Sequence, residues 1–221
     1  MTERLPIFPL HAVLFPGDLL PLHIFEPRYR LMLSRCAADD PCFGVVLMKS
    51  GSEAGDQPEI HQTGTSATVV EKISVPDGRS NILIKGARRF KVLESDWDES
   101  YMMANITWCD TPNSTDAGPG LQDAVGRIHD LLDRYLNAYS QATGQSTRVR
   151  DFGKEPIASA YAIASTLPMP LETRQRLLEA TEPDQLLSLL EDTLRHETAL
   201  LTRTGAYATL PGQRGARFTS N

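Results

Sequence analysis

Cysteine is nearly absent from this chain, long apolar runs are missing, and the short motifs that mark common catalytic sites do not occur. The three cysteines, Cys36, Cys42 and Cys109, are an odd number at spacings that fit neither a disulfide framework nor a zinc motif. They are expected to be small buried hydrophobes in a reducing compartment. No stretch approaches the roughly 20 apolar residues needed to cross a bilayer, and residues 1–9 lack the basic-then-apolar order of a secretory signal. A soluble, cytoplasmic protein with no membrane partner is therefore expected. Gly153-Lys154 has Arg148 where the first glycine of a phosphate cradle would stand, which argues against ATP hydrolysis. Gly-x-Ser-x-Gly, His-Glu-x-x-His and a Gly-x-Gly-x-x-Gly following a strand are also missing. The histidines, His11, His23, His61, His129 and His196, are too far apart in sequence for a local ligand pair, so no metal and no cofactor are expected.

What is present suffices for a core: 221 residues, 41% of them apolar, need neither disulfides nor metals to fold. The net charge of -6 is spread along the chain, with 11 basic and 16 acidic residues in 1–120 and 9 and 12 in 121–204. Nucleic-acid binding draws mainly on phosphate neutralisation, so no nucleic-acid partner is expected.

The first half reads as short strands and turns. Leu19 to Phe25, Phe43 to Met48 and Ala67 to Val75 are strand candidates, and Pro76-Asp77-Gly78-Arg79 is a turn in which proline presets one angle and glycine admits a positive φ. Asn81 to Lys85 returns from that turn, Gly86 marks a bulge, Arg89 to Leu93 resumes, and Tyr101 to Trp108 adds a further strand. One helix, Pro27 to Ala38, presents Tyr29, Met32, Leu33 and Cys36 on one face. This pattern predicts an antiparallel, curved sheet or small barrel at 1–110.

A Pro/Gly/Ser/Thr/Asp-rich linker at 111–120 precedes a change of period. Leu121, Val125, Ile128, Leu132, Tyr135 and Tyr139 form a helical stripe, suited to an internal bundle or a dimer seam; internal use is preferred, giving a monomer or weak dimer. Further helices are predicted at Pro156 to Thr166, at Leu171 to Ala180, and after Thr181-Glu182-Pro183-Asp184, where Leu186, Leu187, Leu190, Leu194 and Leu201 share a face. The expected organisation is an α+β chain with a helical lobe at 121–204 and a mobile tail at 205–221.

Three groups of residues invite chemistry. His23 and Glu26 are spaced for an acid/base pair, but Glu26 before Pro27 also suits the free N–H groups and positive dipole end of a helix, with His23 hydrogen-bonded in the sheet. Lys85, Arg88, Arg89 and Lys91 form a dense basic cluster, read as a solvated face with internal ion pairing in preference to an RNA contact. The segment Val13 to Leu22, with Phe15, Leu19, Leu20 and Leu22, is either core strand plus turn or the lining of an apolar groove for a peptide; the first is preferred.

Leu5-Pro6-Ile7-Phe8-Pro9-Leu10, Leu14-Phe15-Pro16-Gly17 and the run Leu20-Pro21-Leu22-His23-Ile24-Phe25-Glu26-Pro27-Arg28-Tyr29-Arg30 resemble the opening of the substrate-binding domain of the Lon protease family. The similarity continues at Gly64-Thr65, at the turn around Gly78, at Gly86-Ala87-Arg88-Arg89-Phe90, and in the helices at Leu167 to Glu179, spanning about Leu5 to Glu197. The resemblance implies a PUA-like antiparallel pseudo-barrel followed by a helical bundle, with Pro27, Tyr29, Gly64, Gly78, Gly86, Arg89 and Phe90 as structural signature positions. It implies capture of unfolded or extended polypeptide without catalysis, the partners being polypeptide substrates or a separate protease or ATPase. Candidate contacts are Phe15, Leu19, Leu20 and Phe25, with Glu26, Arg28 and Arg30 as polar partners. The alternatives are an enzyme with a small-molecule pocket between the lobes using His23, Glu26 or Arg28, and RNA binding through the β lobe.

Overall fold

The computed structural model describes residues 2–35, 43–50, 58–97, 99–110, 120–144 and 155–204. Cys36, Cys42, most of the expected linker and the expected tail lie outside them. Two compact units divide the chain, Met1–Thr111 and Pro112–Asn221.

The first unit holds β1 (Thr2–Leu10), β2 (Leu19–Ile24), α1 (Pro27–Ser34), β3 (Phe43–Ser50), β4 (Glu59–Ser74), β5 (Ser80–Asp96) and β6 (Met103–Trp108). The strands run in the order β2-β5-β4-β3-β1-β6, and β6 also pairs with β5, so five of them close into a ring of hydrogen-bonded ladders. The sheet is mixed, which corrects the antiparallel expectation. β1 runs parallel to β3, with Ile7 opposite Gly44 and Leu10 opposite Leu47, and antiparallel to β6. β1 itself falls outside the strands read from sequence, because Pro6 and Pro9 break the expected hydrogen-bonding pattern of an inner strand.

The turn after β4 forms as expected. Gly78 N–H donates to Val75 O at 2.9 Å with Gly78 at φ 84°, and Asp77 accepts from Arg79 N–H at 3.0 Å. The two segments either side of Gly86 are one strand carrying a bulge: Ala67 lies opposite Gly86 and Thr65 opposite Arg89, so three steps on β5 match two on β4. Ser66 Oγ fills the bulge, accepting from Arg88 N–H at 3.1 Å and donating to Arg88 O at 3.0 Å. The extra residue turns Arg88 outward and Arg89 inward.

Two apolar clusters fill the unit. One joins Tyr29, Met32 and Leu33 of α1 to Phe8, Leu10, Leu14, Phe43, Ile82 and Ile84; the other collects Ile7, Val46, Phe90, Val92, Ala104 and Ile106. Phe90 packs so closely that a Cβ on Gly44 would lie 2.3 Å, and one on Gly64 2.8 Å, from its ring tip.

The second unit contains α2 (Gly120–Thr143), α3 (Pro156–Thr166), α4 (Leu171–Glu179) and α5 (Pro183–Thr204). Leu121, Ile128, Leu132 and Tyr135 are buried where α2 lies along α5, whose Leu186, Leu187, Leu190, Leu194 and Leu201 are buried in turn. The stripe on α2 is thus used inside the unit. Glu155 caps α3, accepting from Ile157 and Ala158 N–H, and the Arg174 guanidinium closes its other end on the carbonyls of Ala164 and Ser165 at 3.3 and 3.2 Å.

Candidate functional site

The first half of β5 lies between β2 and the outer half of β4, with His23 opposite Asn81 and Asn81 opposite Ile73, Pro21 opposite Leu83 and Leu83 opposite Glu71, and Leu19 opposite Lys85 and Lys85 opposite Thr68. Directly opposed residues share a face. The alternate residues Leu20, Leu22, Ile24, Ile82, Ile84 and Val69 point into the core beneath α1. The outward face is therefore a strip carrying Leu19, Pro21, His23, Leu83 and Ile73 with Lys85, Thr68, Glu71 and Asn81 between them, and is extended by Phe25, whose ring stacks on His23 at 5.9 Å. Leu19, Phe25 and Ile73 are 46%, 54% and 57% exposed, unusual for large apolar side chains gathered on one face.

β2 ends the strand order, and its outer edge is blunted. Asp18 O accepts from Gly86 N–H at 2.9 Å, so the ladder alternation turns the peptide groups of Leu19, Pro21 and His23 away from β5. Leu19 N–H is taken by the Asp18 carboxylate at 2.9 Å, and Pro21 has no N–H. An added strand would find few donors there, so recognition on this side falls to the side-chain face.

The expected contacts are only partly assembled. Leu19 and Phe25 stand on the strip, and Leu20 faces inward and is half-buried. Phe15 is fully buried, its backbone packed against Gly86, and cannot meet a ligand. Glu26 is the N-cap residue of α1, but its carboxylate caps no backbone N–H; its Oε2 instead accepts from Arg28 Nε at 2.9 Å, and Arg28 lies 4.8 Å over the Tyr29 ring, bracing the start of α1. Arg30 points to the turn at Gly78, away from the strip. His23 Nδ1 is hydrogen-bonded to Asn81 Oδ1 at 2.6 Å, so His23, Glu26 and Arg28 are spent on separate contacts. The outward position of Ile73 is not legible in the sequence because it depends on a bulge at Val70, where β4 gains one residue on β5, and that of Leu83 because it follows from the pairing with Pro21.

The basic cluster is not one solvated face. Arg89 is 1% exposed, its Nη2 donating to Asp110 O at 2.7 Å, while Arg88 reaches 5.1 Å over the Trp108 ring and Lys85 and Lys91 are exposed. Cys109 is half-buried. Among the described residues no group of three or more His, Cys, Asp or Glu could hold a metal ion, and no helix is long and apolar enough to cross a membrane.

Residues 4–196 match the sequence profile of the ATP-dependent protease La (LON) substrate-binding domain. A Lon protease of Solibacter usitatus is 27% identical over 194 residues, 86% of this chain and 24% of that protein, and one of Cytophaga hutchinsonii is 34% identical over 105 residues, 47% of this chain. The chain spans about a quarter of the length of curated relatives such as the first. Among solved structures, a Lon N-terminal domain protein from Xanthomonas campestris superposes with a TM-score of 0.61 at 25% identity, covering 85% of this chain and 97% of that one. The N-terminal domain of a Mycobacterium avium complex Lon protease has the same fold, with a TM-score of 0.60 at 16% identity over 87% of this chain and 98% of that one. On the strength of the match across residues 4–196, this chain belongs to the LON substrate-binding domain family.

Proposed function

We propose that the chain is a non-catalytic recognition module that holds extended or unfolded polypeptide segments against the outward strip of β2, β5 and β4. It acts in the cytoplasm on polypeptides bound for a separate protease or ATPase, through a PUA-like barrel with a helical bundle after it. The observation that carries this reading is the exposure of Leu19, Phe25 and Ile73 on a single face. Residues 19 to 25 of an extended strand measure about 20 Å, room for roughly six residues of a bound chain. Burying three such side chains supplies several kcal/mol at about 25 cal/mol per Å², a basis for micromolar to millimolar binding.

The test is fluorescence anisotropy against unfolded apolar peptides. The parent should bind, and the triple variant Leu19→Ser/Phe25→Ser/Ile73→Ser, altered only at exposed positions and checked by circular dichroism, should bind about tenfold more weakly or less. Binding equal to the parent's, or none by the parent at millimolar peptide, would remove the reading.

A further inference from the structure

We propose that the cleft between α1 and the β4–β5 turn is a binding site for a single oxyanion, a carboxylate or phosphate group, held by Arg30 and Lys72. The site goes beyond the polypeptide reading, since it lies on the α1 side of the β2–β5–β4 layer and uses charge. The cleft is an open groove of about 460 Å³, walled by Pro27, Arg30 and Leu31 on one side and Lys72, Gly78 and Ser80 on the other. Among the described residues no carboxylate lines it.

Three observations select this cleft. Arg4, Arg28, Arg35, Lys49 and Arg79 of the same unit each pair with an acid, whereas Arg30 and Lys72 have no carboxylate within salt-bridge distance among the described residues, Asp77 acting on Arg30 only through its more distant charge. The nearby acid Asp77 is committed to Arg79, accepting from its Nε at 2.6 Å and its N–H at 3.0 Å. Second, Arg30 lies against the β4–β5 turn. Its Nη2 lies 2.0 Å from the point a Cβ on Gly78 would occupy, so the guanidinium rests against a turn that only a glycine leaves open. Third, Ser80 lines the cleft at 6% exposure, offering a hydroxyl from a position the sheet fixes.

The chemistry follows from the donors. A guanidinium presents two parallel N–H groups to two oxygens of one planar or tetrahedral anion, and the Lys72 ammonium adds a point charge from another element.

The full chain, labelled with nitrogen-15, is titrated with inorganic phosphate and separately with acetate, at ionic strength held constant with sodium chloride. Saturating shifts are expected at the Gly78 and Ser80 amides and at Arg30 Nε–H, with Kd on the order of millimolar as suits exposed cations. Phosphate binding about tenfold tighter than acetate assigns the site to phosphoryl groups; equal affinities assign it to carboxylates. Arg30→Gln/Lys72→Gln, whose spectrum should otherwise match the parent's, should weaken binding at least about tenfold. Shifts that stay linear in both anions to about 100 mM, or that persist unchanged in the double variant, overturn the proposal.

Discussion

Replacing Gly86 with alanine should loosen the join between β2 and β5 more than any other single added methyl in that layer. The new Cβ would lie 2.1 Å from Phe15 O and 3.0 Å from Phe15 C, against main chain that cannot swing aside as a flexible side chain can. Relief requires moving the Phe15–Asp18 segment, which strains the bonds from Gly17 N–H to Gly86 O at 2.8 Å and from Gly86 N–H to Asp18 O at 2.9 Å. Overpacking costs roughly 1–3 kcal/mol and each of the two weakened backbone bonds about 0.5–1.5, for a total of about 2–6 kcal/mol. Both tryptophans, Trp97 and Trp108, belong to the β unit, so their fluorescence reports its unfolding separately from the helical unit. In urea the midpoint should fall by roughly 1–2 M. Gly17→Ala is the control: it has φ 81° but nothing within 4 Å, so it should cost only about 1 kcal/mol of backbone strain. A Gly86→Ala midpoint no lower than that of Gly17→Ala would refute the reasoning.

Arg89→Lys should destabilise the β unit by about 1–3 kcal/mol in the same fluorescence assay, because a lysine cannot reproduce the planar donor set that reaches Asp110 O from a fully buried position. Gly126→Ala, on an exposed face of α2 with nothing near its Cβ, should stabilise the helical unit by about 0.5–1 kcal/mol, read by far-ultraviolet circular dichroism. Ile128→Ala should cost that unit about 2–5 kcal/mol through the cavity left between α2 and α5. The Asp77 carboxyl is held below its ordinary range chiefly by the side-chain hydrogen bond from Arg79. A depressed folded-state value means the Asp77 contribution is present above the unfolded pKa and is lost as pH falls through the folded one. Asp77→Asn should therefore be less stable than the parent at neutral pH and match it once pH drops below the native titration, as urea midpoints across that range would show.

Helices were the most legible part of the fold, since a stripe such as Leu186, Leu187, Leu190 and Leu194 records which side is buried without reference to anything distant. The turn at Gly78 and the bulge after Gly86 were legible for the same reason: their conformations are dictated by the residues that adopt them. β1 was not, because its pairing with β3 and β6 is set by residues far along the chain and its prolines speak against an inner strand. The candidate site divides along the same line. Leu19 and Phe25 could be named from an apolar run, but which of Phe15, Leu19 and Leu20 faces outward depends on register, and the burial of Arg89 depends on one extra residue in a ladder.

The place of β1 has a consequence for biosynthesis. Residues 2–10 cannot close the ring until β6, ending at Trp108, has left the ribosome. At about 5–20 residues per second, Ile7, Phe8 and Leu10 wait for some 5–20 seconds with part of their final neighbours unmade. During that interval the newborn chain leaves bare the apolar side chains of β1 that the completed ring later covers.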